Sequence, residues 1–231
     1  MLGESDIPPA AHLTCVGASR AEVDQVARDY WESGIRHIVA LRGDAPAGSE
    51  GYEPHPDGYH YASDLINGLK HVADFEISVA AYPEMHPESP DPSTDLDNLK
   101  RKIDAGATRA ITQFFFEPDV YLRFMDRARA AGITVPIVPG VLPVTDIISA
   151  SRFAARCGAS IPDWLVARYG RVGNGTQARS SIAVSTATEF VHRLMLEGVD
   201  KFHFYTLNRA AIVARTCENL GIVQQEAAVT A

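Results

Sequence analysis

Short apolar runs that alternate with helical patterns constrain the fold of this chain more than any other feature. The runs are predicted strands at Ala11–Val16, His37–Leu41, Ile77–Tyr82, Ala110–Phe116, Val135–Leu142 and Phe202–Leu207. Between them, apolar residues recur three and four positions apart, as at Val23, Ala27 and Tyr30. Strands that alternate with helices favour a parallel sheet with right-handed crossovers. The pattern predicts an α/β fold, either an open doubly wound sheet or a (β/α) barrel.

Several residues mark where the predicted helices begin and end. Ser19 precedes Glu22, and Thr94 precedes Asp97, each with the spacing of a capping box. A glycine stands where each of four helices should end before the next strand, and these are Gly34, Gly106, Gly132 and Gly198. The helices therefore connect to the following strands through short, similar loops.

Two stretches fit neither the strand nor the helix pattern. Ala45–His60 is rich in glycine and proline and is too long for an ordinary loop, so we expect a surface excursion. Ile161–Gly175 is expected to contain a short extra helix around Trp164 and Tyr169, followed by a glycine-rich turn.

The size and charge of the chain exclude several classes of protein. With 231 residues, 46% of them hydrophobic, a single domain over residues 1–231 is expected. A formal net charge of −8 argues against a nucleic-acid partner. No apolar stretch approaches the roughly 20 residues that span a bilayer, and no signal-peptide core is present, so we expect a cytoplasmic protein without a membrane partner. The three cysteines include no C-x-x-C pair and are expected to be reduced thiols.

Polar residues follow the predicted strands at the ends where parallel-sheet enzymes bind their ligands. Arg42, Gly43 and Asp44 offer a guanidinium for a phosphate or carbonyl, a close backbone approach and a carboxylate, although an exposed salt bridge is the simpler interpretation. Tyr82 offers a flat surface for a planar ring, and His86 a hydrogen-bond donor. A metal site in this loop is less favoured, because the other histidines lack complementary ligand spacing.

A helix and a strand complete the candidate site. Asp95, Asn98 and Lys102 share one helix face, which either is solvated or lines the same site as Tyr82. Gln113 lies within an apolar run, where an amide is costly unless it is paired. A primary amide can recognise another amide or a pterin edge by paired hydrogen bonds. We expect Asp44, Tyr82, His86 and Gln113 to line one cavity at the carboxyl ends of neighbouring strands.

Longer segments around these residues resemble bacterial methylenetetrahydrofolate reductase. They are HLTC at His12–Cys15, IVALRGD at Ile38–Asp44, YASDL at Tyr61–Leu65, AAYPEMHPE at Ala80–Glu88, NLKRKIDAG at Asn98–Gly106, RAITQFFF at Arg109–Phe116 and FHFYTLNR at Phe202–Arg209. The resemblance covers nearly the whole chain. It implies a (β/α)8 TIM barrel that holds FAD at its carboxyl-terminal face, of which about six βα units are found here.

The resemblance also implies roles for individual residues. The residues that would contact FAD are His12, Arg42, Gly43, Asp44, Tyr61, Ala62, Tyr82, His86, Asp95, Asn98, Arg101 and Lys102. The folate substrate would be bound by Asp44, Gln113, Phe153 and Arg209, with Asp44 and Gln113 as catalytic residues and Gln113 also serving the nicotinamide. A carboxylate at Asp44 would stabilise positive charge that develops near flavin and pterin.

The implied reaction belongs to one-carbon metabolism and methionine biosynthesis. NADH or NADPH passes a hydride to the flavin, and 5,10-methylenetetrahydrofolate opens to an iminium and accepts the hydride to become 5-methyltetrahydrofolate. The partners implied by this reaction are the folate and nicotinamide cosubstrates. A homo-oligomer is also expected.

The chain departs from this pattern at its beginning. The Phe-Phe-Pro-Pro motif of the family, with its adjoining general-acid glutamate, is absent. We therefore expect an N-terminally truncated barrel without its first two strands. Ser149 stands where close relatives place a glutamine of the folate site. The alternatives are a noncatalytic flavin- or folate-binding remnant of the enzyme, and an unrelated lyase on a parallel-sheet scaffold.

Overall fold

The computed structural model describes residues 7–45, 48–49, 51–171 and 175–222. Its strands are β1 (Ala10–Thr14), β2 (His37–Leu41), β3 (Glu76–Ala81), β4 (Arg109–Phe114), β5 (Ile137–Val141) and β6 (His203–Phe204). Its helices are α1 (Arg20–Glu32), α2 (Ala62–Val72), α3 (Pro92–Asp104), α4 (Pro118–Ala130), α5 (Ile147–Cys157), α6 (Asp163–Gly170), α7 (Thr176–Leu196) and α8 (Ala210–Asn219). Every predicted strand is present, and a helix lies between each strand and the next.

The strands form a parallel sheet whose order follows the chain, from β1 through β6. β1 pairs with β2 from Ala10 opposite His37 to Thr14 opposite Leu41. β2 pairs with β3, β3 with β4, and β5 with β6, all in parallel. The predicted parallel α/β fold is confirmed. β1 and β6 stand at opposite ends of the strand order rather than as neighbours.

The chain divides into two compact units. The N-terminal unit comprises Met1–Tyr82, Ser89–Thr112 and Met125–Ile137, and the C-terminal unit comprises Pro83–Glu88, Gln113–Phe124 and Val138–Ala231. The prediction of one domain over residues 1–231 stays a prediction.

The N-terminal unit buries apolar residues on both faces of its strands. Ile38 and Ala40 in β2 and Ile77 and Val79 in β3 are fully buried, and Leu65 belongs to the helical layer that covers them. Three consecutive residues of β3, including Ser78, are buried, as expected for a parallel strand covered on two sides.

A polar network occupies the amino-terminal ends of β2, β3 and β4. The Nε2 atom of His37 lies 2.7 Å from the Oγ atom of Ser78, which is fully buried. Arg109 pairs with Glu76 at 2.9 Å, and Glu76 lies 3.9 Å from Nδ1 of His37. Burial lowers the pKa of His37, against the opposing effect of Glu76. This network supplies the partner that the buried serine requires.

The C-terminal unit has an aromatic core. Phe114, Phe116, Leu165 and Tyr169 are buried in one cluster. The Tyr169 hydroxyl donates to the carbonyl oxygen of Val144, which satisfies the polar end of a buried ring. Helix α6 carries both Leu165 and Tyr169, so the predicted short helix around Trp164 and Tyr169 is confirmed. Residues 172–174 of the predicted glycine-rich turn lie outside the described residues.

Several predicted boundaries are confirmed. Ser19 caps α1 and forms a capping box with Glu22. The four glycines predicted to end helices all have positive φ. The described part of Ala45–His60 contains neither helix nor strand, as expected for an excursion between elements.

The strands β1, β3, β4 and β5 begin and end one or two residues away from their predicted bounds. Two other predicted boundaries were wrong by three residues. Helix α3 begins at Pro92 rather than after Thr94, because the Asp91 side chain accepts the Thr94 backbone N–H at 2.8 Å and proline suits the first helical position. The last strand has two residues rather than six and ends at Phe204, and Leu207 and Asn208 adopt positive φ in the turn that leads into α8.

In the described part of the chain, no helix combines the length and apolar character needed to cross a membrane.

Candidate functional site

The backbone after β2 is fixed against the backbone after β1. The Arg42 carbonyl oxygen accepts hydrogen bonds from the backbone N–H groups of Cys15, at 3.2 Å, and Val16, at 2.9 Å. Gly43 has φ +91°, and a Cβ atom there would lie 2.4 Å from Cγ1 of Val16. Both the conformation and the space therefore require glycine. Asp44 follows this turn with an exposed side chain.

An aromatic residue outside the predicted set holds the Arg42 side chain. The guanidinium carbon of Arg42 lies 4.3 Å from the centroid of the Tyr52 ring, within the range of a cation–π contact. The Tyr52 hydroxyl donates to the His60 carbonyl oxygen at 2.7 Å. Burial raises the pKa of Tyr52 to about 12, so this hydroxyl remains a donor at ordinary pH. The sequence feature that could have identified Tyr52 is an aromatic residue within the glycine- and proline-rich segment Ala45–His60.

The start of α2 places two further predicted residues nearby. Tyr61 caps the helix and Ala62 is its first residue. The Asp64 carboxylate accepts the Tyr61 backbone N–H at 3.1 Å, which leaves the Tyr61 side chain exposed. The Tyr61 ring lies 6.4 Å from the Tyr52 ring. His12 belongs to the exposed face of β1.

The polar face of α3 reaches the carboxyl end of β3. Lys102 is half-buried, and its Nζ atom donates to the Ala80 carbonyl oxygen at 2.5 Å. Burial lowers the pKa of Lys102 to about 8, although Asp95 opposes this shift. Asp95 accepts a hydrogen bond from Ser89 at 3.2 Å, and Arg101 donates to Asn98. The simple interpretation of a solvated helix face is therefore wrong for Lys102.

The loop after β3 is divided between the units. Tyr82 is half-buried at the end of β3 in the N-terminal unit. In the C-terminal unit, Nδ1 of half-buried His86 accepts the Glu88 backbone N–H at 3.1 Å. The Glu84 carboxylate accepts the Ser160 backbone N–H at 2.9 Å. These bonds hold the loop that carries His86, with Nδ1 as the unprotonated nitrogen.

Gln113 and Phe153 lie within the C-terminal unit. The Oε1 atom of half-buried Gln113 accepts the Phe114 backbone N–H at 3.0 Å, which supplies one of the partners that a partly buried amide needs. The Phe153 ring stacks on the ring of buried Phe114, with centroids 5.2 Å apart. Phe153 thus has a packing role in addition to its predicted substrate contact.

Arg209 lies at the start of α8, and its guanidinium donates to the Thr145 hydroxyl.

Ser149 donates to Asp146 at 2.7 Å, and Asp146 also accepts the Ile148 backbone N–H as the cap of α5. The bond from Ser149 lowers the pKa of Asp146. Ser149, which was expected to stand in place of a folate-site glutamine, therefore supports the helix cap.

The predicted site residues fall into two groups. The N-terminal unit holds the residues of β1, β2, α2 and α3, together with Tyr82, and the C-terminal unit holds His86, Gln113, Phe153 and Arg209. The expected cavity lined by Asp44, Tyr82, His86 and Gln113 draws on both groups and stays a prediction.

A separate cleft of about 580 Å³ lies in the N-terminal unit, beside α1 and α2. Arg20, Asp24, Tyr59 and His71 are among its lining residues, and none of the predicted site residues belongs to it.

Within the described ranges, no three His, Cys, Asp or Glu side chains are grouped as metal ligands.

A family match and two bacterial relatives identify the family of this chain. The family described as "Methylenetetrahydrofolate reductase" matches residues 1–221. The 5,10-methylenetetrahydrofolate reductase of Pectobacterium carotovorum subsp. carotovorum is 52% identical over 213 residues, which cover 92% of this chain and 70% of that protein. The enzyme of the same name from Escherichia coli K12 is 51% identical with the same coverage.

Among solved structures, an uncharacterized protein from Clostridium thermocellum that binds two copies of 5-methyl-5,6,7,8-tetrahydrofolic acid has a similar fold. The TM-score is 0.51 at 14% identity, over 93% of this chain and 95% of that chain. The family match and the relatives, which extend over both units, establish that the chain belongs to the methylenetetrahydrofolate reductase family of oxidoreductases.

Proposed function

We propose that this chain is a flavin-dependent reductase that converts 5,10-methylenetetrahydrofolate to 5-methyltetrahydrofolate with NADH or NADPH as the electron donor. Family membership supports the reaction. The structural observation that carries the proposal is Lys102, a half-buried residue whose ammonium group donates to the Ala80 carbonyl oxygen at the carboxyl end of β3. A buried cation at this end of a parallel sheet is suited to bind an anionic cofactor.

The residues of the N-terminal unit fit FAD. Arg42 and Lys102 supply positive charge, and Tyr61 supplies an exposed ring. Gly43 allows the close turn that packs against Val16 directly after Arg42. The proposed FAD contacts in this unit are His12, Arg42, Gly43, Asp44, Tyr61, Ala62, Tyr82, Asp95, Asn98, Arg101 and Lys102. His86 of the C-terminal unit is proposed as a further contact. FAD, when bound, supplies the two-electron carrier between nicotinamide and folate.

Four residues are proposed to serve the substrate. The exposed Asp44 carboxylate would stabilise positive charge that develops on the folate, and Arg209 would bind an anionic part of it. Gln113 would use its amide N–H groups toward the pterin and the nicotinamide, since its Oε1 already accepts a backbone N–H. Phe153 would present a ring edge from the core of the C-terminal unit. The relatives' names and the folate bound by the structural neighbour agree with this substrate class.

We propose further that the sheet belongs to an eight-stranded (β/α) barrel. The strand order begins at β1 and ends at β6, and closure of such a barrel would take two more strands. Homo-oligomer formation is part of this proposal.

A second candidate is a noncatalytic protein that binds flavin or folate. The 231 residues contain no Phe-Phe-Pro-Pro motif and so lack the adjoining acid of the family. A general acid contributes roughly 100- to 10,000-fold to a rate. Flavin binding and turnover therefore need separate tests.

The first experiment compares two proteins, the 231-residue chain and the same chain extended at its N-terminus by a segment that carries Phe-Phe-Pro-Pro. Flavin absorbance after purification tests binding, and methylenetetrahydrofolate–menadione oxidoreductase activity tests turnover. We expect flavin in both proteins and much higher activity in the extended one. Flavin in both without activity in either would favour the noncatalytic function. Absence of flavin from both would overturn the proposal.

A further inference from the structure

We propose that Tyr52 is a positioning residue of the flavin site, whose ring holds the Arg42 guanidinium in the orientation that binds FAD. This assignment rests on the proposed function, because Arg42 is one of the proposed FAD contacts. Tyr52 itself is assigned no contact with FAD.

The backbone of Arg42 is fixed independently of Tyr52. Its carbonyl oxygen accepts the N–H groups of Cys15 and Val16, and the following Gly43 packs against Val16. An arginine side chain nevertheless retains several rotatable bonds, and ordering them costs conformational entropy. A contact that fixes the guanidinium before the cofactor arrives removes part of that cost from binding.

Tyr52 makes such a contact. The Arg42 guanidinium carbon lies 4.3 Å from the ring centroid, and its Nε donates to the Gly43 carbonyl oxygen at 3.2 Å. A cation–π contact orients the guanidinium without cancelling its positive charge.

Tyr52 is in turn held by the start of α2. Its hydroxyl donates to the His60 carbonyl oxygen at 2.7 Å, and its ring lies 6.4 Å from that of Tyr61. Arg42 follows β2, whereas Tyr61 and Ala62 begin α2. Tyr52 thus links two elements that carry proposed FAD contacts, and it lies in the excursion between them.

The test measures the FAD dissociation constant of the 231-residue chain by flavin fluorescence titration of the apoprotein. Tyr52→Phe keeps the ring and loses only the hydroxyl, which bonds to His60 and also interacts with the Cys15 thiol. Its dissociation constant should therefore stay within about twofold of the unmutated value. Tyr52→Leu and Tyr52→Met remove the aromatic face. Each should raise the constant about three- to tenfold.

A double-mutant cycle distinguishes positioning from general support of the loop. In an Arg42→Met background, Tyr52→Leu should have little further effect, because the group that it positions is gone. The Tm of every variant is measured in parallel, and Tyr52→Met provides the second variant if Tyr52→Leu does not fold.

An unchanged FAD dissociation constant in Tyr52→Leu and Tyr52→Met would overturn the assignment. So would a loss of FAD affinity on Tyr52→Leu that is as large in the Arg42→Met background as in the unmutated protein. If the unmutated chain and an N-terminally extended chain both fail to bind FAD, the proposed function fails, and this assignment fails with it.

Discussion

The Nζ atom of Lys102 lies 2.5 Å from the carbonyl oxygen of Ala80, so the polar face of α3 is joined to the carboxyl end of β3. Lys102 is a half-buried residue in a place where parallel-sheet enzymes bind their ligands. A solvated lysine would contribute little to a site. This lysine is held in position and partly desolvated, and it gives rise to the first two predictions.

Lys102→Ala should weaken FAD binding about tenfold or more, because a hydrogen bond to a charged group is removed from a partly buried site. Lys100→Ala is the matched control, since Lys100 is exposed on the same helix and pairs with Asp104 at 2.8 Å. Flavin content after dialysis and fluorescence titration measure the effect. Equal flavin retention by the two variants would contradict the role of Lys102.

FAD affinity should fall as the pH rises through about 8. Burial lowers the pKa of Lys102 to about 8 in the free protein, so the ammonium loses its proton above that pH. Because the anionic cofactor prefers the charged form, binding should be strongest below pH 8 and weaker above it. Lys102→Arg, which keeps its charge at every ordinary pH, should remove the decline. Titrations between about pH 7 and 9.5 test this, and a decline that persists in Lys102→Arg would implicate another group.

The stability of the chain should decrease as the pH falls below the usual pKa of histidine. Burial beside Ser78 lowers the pKa of His37 in the folded protein, so folding favours the neutral ring. The stabilisation from neutral His37 is therefore complete above the pKa of this histidine in the unfolded chain. It is lost as the pH falls through the lowered pKa of His37 in the folded protein. His37→Gln should flatten this dependence, whereas His192→Gln, at an exposed position, should not. Tm measured from neutral to mildly acidic pH would reveal this contribution of His37 to stability. Identical profiles of Tm against pH for the two variants would refute it.

Gly43→Ala should destabilise the fold more than Gly34→Ala. Both glycines have φ near +90°, and each alanine should cost about 1–2 kcal/mol of backbone strain. Only at position 43 would the new Cβ also meet Val16, at 2.4 Å, while no atom lies within 4 Å at position 34. Val16→Ala should recover part of the additional loss. Denaturant unfolding gives the free energies, and equal losses for the two alanines would show that the Val16 contact relaxes freely.

Gln113→Ala should reduce turnover in an N-terminally extended chain without lowering its flavin content. The predicted role of Gln113 is toward the folate and the nicotinamide, whereas its Oε1 accepts only the neighbouring Phe114 N–H in the described contacts. Gln113→Glu keeps the acceptor and loses the amide donors, so it should be impaired to a similar degree. Steady-state kinetics and flavin absorbance separate the two effects. A variant with full activity would remove Gln113 from the catalytic set.

The sequence predicted the elements better than their ends. Apolar periodicity located every strand, because burial on both faces of a parallel strand leaves a local record in the residues. The start of α3 was misplaced since Thr94 resembles a cap, while Asp91 and Pro92 together form a better one. The length of β6 was overestimated because an apolar run shows where a strand can form, whereas β6 ends at Phe204, ahead of the turn at Leu207 and Asn208.

For the candidate site, the sequence by itself determined which chemical groups follow which strands, and the motifs determined the family. Only the tertiary structure decided how those groups are held. Tyr52 reaches Arg42 across a loop, and Lys102 reaches Ala80 across 22 positions of the chain. The physical reason is that helix and strand patterns arise between neighbours a few residues apart, whereas a cation–π contact and the desolvation of an ammonium group depend on which distant segments pack together.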